Sequence, residues 1–245
     1  MTSIIAIVGQ TATGKTKLAL ELAEKYNGEL VNFDSRQIYK YLDIITGKDL
    51  PKNSEFRIQN LESNNKYDVG YYPITIYNYL KPFATKLWLY DVVTPDQYFS
   101  SFDFVKQVMP VIEDIKKRGK TPILVGGTYL YLKHFLYGID DNNSPPDFKL
   151  REKLNNKSVK ELRDILKKLD VQLINRLNNS DANNPRRLIR KIEIASTKGT
   201  LLIRTDLIRT DLPKIFICLK YIDKLKLRQV IEKRVEKRLK NGAVE

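Results

Sequence analysis

Eight residues near the N-terminus, Gly9-Gln10-Thr11-Ala12-Thr13-Gly14-Lys15-Thr16, fit the pattern G-x-x-x-x-G-K-[ST], the phosphate-cradling P-loop. That loop works only between a strand and a helix, and the flanks agree. Ile4-Ile5-Ala6-Ile7-Val8 is an apolar, β-rich run. From Lys17 to Lys25, Leu18, Leu22 and Lys25 fall on one helical side, with Ala19 and Ala23 beside them. Glycines let the backbone close around phosphate oxygens, so that N–H groups at the helix N-terminus point inward. Lys15 adds a point charge, and the Thr16 hydroxyl is placed to ligate Mg²⁺. A di- or triphosphate ligand is expected.

Composition sets the frame. The 245 residues are 42% hydrophobic, with no apolar run long enough to span a membrane. Met1-Thr2-Ser3 leads straight into the first strand, which leaves no room for a signal peptide, and a cytoplasmic protein is expected. The single cysteine, Cys218, excludes a disulfide framework and a cysteine-based zinc site. It lies in the apolar run Ile215 to Leu219 and is expected in the core. Charge is unevenly spread. Residues 145–245 hold 26 Lys/Arg against 13 Asp/Glu, whereas residues 1–144 hold 17 against 16. A basic second half points to a polyanion, with nucleic acid first in line; a Lys-rich proteome is the plainer explanation, but leaves the asymmetry unexplained.

Glu29 to Phe33 reads as a second strand that ends in Asp34-Ser35-Arg36-Gln37-Ile38-Tyr39. In open α/β sheets ligands gather at that edge. By spacing alone Asp34 reads equally as a metal-shell ligand or base and as a solvated turn aspartate. Asp43 to Asp49 reads as a polar loop, and 51–85 as a hairpin-like excursion whose tyrosines either pack or stack on bases. Lys86 to Asp91 predicts another core strand, with Asp91 a candidate Walker-B-like acid. Phe102 to Arg118 predicts an amphipathic helix kinked at Pro110, followed by the strand Thr121 to Val125. Gly126-Gly127-Thr128 then forms a second close-approach loop, leading into a helix over Tyr129–Tyr137 with a packed His134.

A linker, Asp140 to Pro146, marks a change of character. Ser158 with Glu161 makes a capping box for a helix through Lys168. Asn184-Pro185 opens another helix as N-cap and N1. On it Arg186, Arg187, Arg190 and Lys191 recur at helical spacing, a basic stripe suited to a phosphate backbone or simply to water. The tandem Leu202 to Asp206 and Leu207 to Asp211 suggests no function. Strand character returns at Lys214 to Leu219. A last helix over about 224–240 carries Leu227, Ile231, Val235 and Leu239 on one stripe beside Arg234 and Arg238.

Taken together, these residues resemble tRNA dimethylallyltransferase, the tRNA isopentenyltransferase family. The resemblance rests on the P-loop at 9–16, Asp34 to Tyr39, Asp43-Ile44 with Thr46-Gly47-Lys48, and Phe99-Ser100 before Asp103-Phe104. It continues through Val125-Gly126-Gly127-Thr128 with Tyr131, Pro185 to Glu193, and Ile231 to Arg234 with Gly242. It implies transfer of a dimethylallyl group from its diphosphate to N6 of the adenosine beside the anticodon. The implied fold is a P-loop α/β parallel sheet flanked by helices. The catalytic core would comprise 1–139 and 213–245, with a mostly helical insert at 140–212 facing tRNA.

By similarity, Asp34 would be the general base. Residues Gly9 to Thr16 would hold the leaving diphosphate, with Thr16 on Mg²⁺. Thr128 and Arg234 would help stabilise its growing charge. Ser35, Arg36, Gln37 and Ile38 align with tRNA-contacting segments, as do Arg186, Arg187, Leu188, Ile189 and Arg190; Arg151 would add a further RNA contact. The expected partners are tRNA and dimethylallyl diphosphate, with no membrane and a monomeric chain.

The chain departs from the family at Gln10, where proline is usual, and at Ile45, where glycine is usual. A Pro-His-His before the third strand is absent, and the strand-and-helix stretch that usually follows Gly242 is expected to be missing. Three rivals stay open: an isopentenyltransferase acting on free adenine nucleotides, a P-loop kinase, and an inactive RNA-binding remnant.

Overall fold

A computed structural model describes residues 3–48, 50, 55–59, 74–79, 85–138, 146–196 and 214–243. The chain divides into two compact units, Met1–Gly138 with Ile208–Glu245, and Ile139–Leu207. Residues 140–145 of the expected linker and the tandem repeat lie outside the described residues.

The first unit opens with β1 (Ile4–Gly9), α1 (Lys15–Lys25), β2 (Gly28–Asn32) and α2 (Asp43–Thr46). It continues with β3 (Glu55–Gln59), β4 (Ile74–Tyr79), β5 (Thr85–Trp88), α3 (Ser101–Lys117), β6 (Thr121–Val125) and α4 (Tyr129–Tyr137). Its strands form one seven-stranded sheet in the order β3-β4-β5-β2-β6-β1-β7, where β7 spans Lys214–Leu219. The strands from β5 to β7 run parallel, and β3 and β4 are antiparallel additions at one edge. Strand character does return after the helical unit, with Ile4 opposite Lys214 and Gly9 opposite Leu219.

Parallel central strands are covered on both faces and so read as continuous apolar runs. Ile5, Ile7, Leu30, Ile123 and Val125 pack with Ala19, Leu20 and Ala23 of α1. Their alternates Ile4, Ala6, Val31 and Leu124 are buried as well, and α3 packs against β2 and β6. A capping box starts α3: Asp103 N–H donates to Ser100 Oγ (3.4 Å) and Ser100 N–H to Asp103 Oδ2 (2.9 Å). The helix continues on both sides of Pro110. The Glu29 side chain on β2 is a fully enclosed charge. Glu29 accepts hydrogen bonds from Trp88 Nε1 (2.8 Å) and from both terminal nitrogens of Arg118 (2.6 and 2.7 Å), and pairs with Lys120 at 3.0 Å. Burial pushes the Glu29 carboxyl up, but these donors outweigh it and hold the group below the usual carboxylate range.

One expectation fails at the other edge. β7 is an edge strand, so Ile215, Phe216 and Cys218 are exposed rather than core. The final helix, α10 (Lys224–Lys240), buries no residue, and its apolar stripe is about half exposed at Val235 and Leu239.

The second unit holds α5 (Phe148–Asn155), α6 (Val159–Leu169), α7 (Val171–Asn175), α8 (Asn179–Ala182) and α9 (Pro185–Ser196). The capping box of α6 is present, with Ser158 N–H to Glu161 Oε2 at 2.8 Å and Glu161 N–H to Ser158 Oγ at 3.3 Å. Asn184 caps α9 through Arg187 N–H (3.3 Å). The core of this unit is Leu154, Leu162, Leu166, Leu188, Ile189 and Ile192.

Candidate active site

The C-terminal ends of β1, β2 and β6 meet around a cavity of about 550 Å³. Its floor is the loop Thr11 to Lys17, and Asp34, Gly126, Arg234 and Arg238 stand around it. Within the loop, Lys15 Nζ donates to the Gly9 and Gln10 carbonyls (3.1 and 2.7 Å), and Thr13 Oγ1 donates to Gln10 O (2.8 Å). Gln10 itself faces away from the cavity. Its side-chain oxygen accepts from Tyr221 N–H at 3.0 Å, and its own N–H donates to Leu219 O at 3.3 Å. Gly9 lines a second, mostly apolar cavity of about 410 Å³, which shares Gly126 with the first and is walled by Phe33, Leu132, Leu136 and Phe216.

Backbone contacts fix Asp34. Its N–H donates to Asn32 Oδ1 (2.9 Å), and Asn32 Nδ2 is anchored on Leu89 O (2.9 Å). Asp34 Oδ1 accepts from Arg36 N–H (2.9 Å), an Asx turn. The glycine pair after β6 makes room for this turn. A Cβ on Gly126 would lie 2.7 Å from the Phe33 carbonyl carbon and 2.8 Å from Asp34 N, and one on Gly127 would lie 3.1 Å from Asp34 Oδ2.

Thr128 has a different place from the one expected. It does not line the phosphate cavity. Its hydroxyl accepts from Ser35 N–H (2.8 Å) and donates to Ser35 Oγ (3.0 Å), clamping the loop that carries Asp34. Of the neighbouring residues, Arg36 and Gln37 reach the cavity, whereas the Ile38 side chain is buried. Tyr131 stacks on Phe104 with ring centroids 4.9 Å apart, and burial pushes its phenol up.

Asp91 is not an open Walker-B-like acid. Its carboxylate is paired with Lys48 Nζ and the Tyr77 hydroxyl. Lys48, whose side chain is fully buried, also donates to Tyr39 O and Asp43 Oδ1, both at 2.5 Å. Burial and then the Asp91 carboxylate push the Tyr77 phenol up. Tyr77 therefore packs inward rather than offering a stacking face. The expected polar loop after Tyr41 instead contains α2, and sequence reasoning missed both Lys48 and Arg238 as site-shaping residues.

The RNA-facing residues predicted in the second unit separate by burial. Leu188 and Ile189 are core, 0% and 6% exposed. Their side chains hold α9 in place, which corrects their assignment as RNA contacts. Arg151 makes a two-pronged contact with Glu193 (2.6 and 2.9 Å), to which Arg190 also donates at 3.1 Å. Burial raises the Glu193 carboxyl, but the two arginines outweigh it and leave it below the usual range. Arg187 bonds Asp181 at 2.6 Å. Both Arg186 and Arg187 are exposed.

A P-loop on a parallel α/β sheet, with a carboxylate at the C-terminal end of a strand two places along, defines a phosphate-binding group-transfer enzyme rather than a plain RNA-binding module. Comparison with known proteins narrows this class. The family model for IPP transferase matches residues 83–245. A curated tRNA dimethylallyltransferase of Acetivibrio thermocellus is 32% identical over 251 residues, covering 100% of this chain and 70% of its own length. A solved eukaryotic dimethylallyltransferase acting on tRNA superposes with a TM-score of 0.70 at 26% identity, covering 100% of this chain and 54% of its own. The full-length tRNA isopentenylpyrophosphate transferase of Bacillus halodurans gives 0.56 at 28%, covering 99% and 67%. The chain belongs to the IPP transferase family. It spans about half to 70% of the length of these relatives.

Proposed function

We propose that the protein transfers the dimethylallyl group of dimethylallyl diphosphate to N6 of the adenosine beside the anticodon of tRNA. The observation that carries this reading is the single cavity shared by the phosphate loop and Asp34, with an apolar cavity meeting it at Gly126. In this scheme the N6 lone pair attacks C1 of the prenyl group, the C1–O bond breaks, and diphosphate departs. Asp34 takes the N6 proton. Loop amides, Lys15 and Arg234 face the charge that grows on the leaving group. The adenosine leaves its stack to reach Asp34, and the apolar cavity shelters the hydrocarbon tail from water.

The donor set suits Mg²⁺ carried by the diphosphate. The Thr16 hydroxyl offers one hard oxygen, and Asp34 is the one carboxylate among the described residues lining the cavity. So few protein ligands match an ion that keeps its waters and binds chiefly through phosphate oxygens. Bound there, Mg²⁺ would neutralise leaving-group charge. The exposed Arg186 supplies a phosphate-backbone contact. All of these residues come from one chain, so a monomer suffices, acting in the cytoplasm where tRNA is found.

The test is incubation with dimethylallyl diphosphate, Mg²⁺ and unmodified tRNA, followed by nucleoside mass analysis. One added dimethylallyl unit on tRNA and none on free AMP is expected, and Asp34→Asn should abolish transfer while tRNA binding persists. Transfer to AMP alone would replace this reading with a free-nucleotide enzyme.

A further inference from the structure

Gly47, directly after α2, sits at φ +64°, a conformation that favours glycine. It also has no room for a side chain. A Cβ there would overlap the Arg238 guanidinium and approach Arg234 Nη2 to 2.8 Å. The two arginines lie one turn apart on α10 and converge on the same short stretch of backbone. Arg234 Nη2 donates to Gly47 O (3.1 Å), and Arg238 donates from Nη1 to Ile45 O and from Nη2 to Thr46 O (both 3.2 Å). Three consecutive carbonyls thus seat two guanidinium groups side by side. Both arginines line the cavity whose floor is the phosphate loop.

This arrangement sets two centres of positive charge around one cavity. Lys15 and the loop amides form one, and the arginine pair on α10 forms the other. Carbonyl oxygens are neutral acceptors, and here three of them fix where both guanidinium groups lie at the cavity wall.

Resting on the reading that the loop holds a diphosphate, we propose that Arg238 is a second diphosphate-binding cation beside Arg234. The pair meets the phosphoryl group that the loop does not cradle, so the site selects a diphosphate over a monophosphate. Gly47 is the backbone seat that allows both guanidinium groups to reach it.

Titration calorimetry of the full chain with inorganic diphosphate and, separately, orthophosphate tests this directly. Wild type should bind diphosphate more tightly than orthophosphate. Arg238→Gln should weaken diphosphate on the order of tenfold to a hundredfold, the range of a lost charge-assisted hydrogen bond, and leave orthophosphate nearly unchanged. Arg238→Lys, which keeps the charge but not the two-pronged seat, should fall between. A thermal melt on each variant separates folding from binding. Diphosphate affinity unchanged in Arg238→Gln overturns the proposal, as does an equal loss for both anions. Failure of wild type to bind diphosphate at all would instead remove the phosphate-loop reading beneath it.

Discussion

Replacing Gly126 by Ala adds one methyl group where the structure has no space for it. The new Cβ would lie 2.7 Å from the Phe33 carbonyl carbon and 2.8 Å from Asp34 N. Both are backbone atoms, so no side-chain rotation relieves the clash. Restoring a carbon–carbon separation of about 3.5 Å requires the β2 end and the β6 end to part by about 0.8 Å. Overpacking of this kind costs about 1–3 kcal/mol, or roughly 2–4 °C in Tm per kcal/mol for a chain of this size. The displaced segment carries Asp34, and a shift near 1 Å in a reacting group costs on the order of 10²-fold in rate.

Gly127→Ala supplies the control. Its Cβ would meet only the Asp34 carboxylate, Oδ2 at 3.1 Å, and a carboxylate can turn about its side-chain bonds for about 0.5–1.5 kcal/mol. Urea melts and prenyl transfer to tRNA should therefore rank the two. Gly126→Ala should lose stability and about 10²-fold in rate, whereas Gly127→Ala should lose up to about tenfold in rate with little change in stability. A Gly126→Ala protein as stable and as active as wild type would refute the claim that this glycine exists to admit Asp34.

Two further perturbations test the packing of each unit. Glu29→Gln should cost about 2–4 kcal/mol at neutral pH, read by urea denaturation, since Arg118 and Lys120 lose their buried counter-charge. Because the folded carboxyl titrates below its unfolded value of about 4.3, its contribution is complete above that pH. It is lost as pH falls through the lower folded value, so wild type and variant should converge there. In the helical unit, Leu162 is fully buried among Leu166, Leu188 and Ile192; Leu162→Ala should lower stability by about 2–5 kcal/mol, seen as an earlier melt.

Local chemistry was legible in the sequence where a few adjacent residues decide the outcome. The phosphate loop, the Ser158–Glu161 box and the Asn184 cap each need three to eight residues, and each is found where the spacing puts it. The excursion at 51–85 likewise contains an antiparallel pair, β3 with β4. Contacts between distant positions were illegible. Glu29 and Arg118 are 89 residues apart, and Gly47 and Arg234 are 187 apart; no pattern in either stretch names the other.

The apolar run misled at β7 for a separate reason. It identifies residues that share a face but not whether anything covers that face. An edge strand has a neighbour on one side only, so Cys218 lies in an apolar run and is still exposed. The basic stripe of α9 shows the same limit in charge. Four cations at helical spacing promise a free basic face, yet Arg187 and Arg190 are paired to acids that pattern alone does not connect to them.

The two halves of the proposed chemistry are therefore held by different means. Asp34 is fixed by the packed sheet, through Asn32, the glycine pair and the Thr128 hydroxyl, so perturbing it disturbs core backbone. The guanidinium groups ride on α10, a helix with no buried residue. Described hydrogen bonds hold that helix to the loop and α2 through the carbonyls of residues 45–47 and, at its entry, through Gln10 and Tyr221. Substitutions that displace the backbone beneath the acid, such as Gly126→Ala, should consequently change rate and stability together. Substitutions of the arginines should change diphosphate affinity while the melt stays near wild type, because little apolar burial depends on that helix.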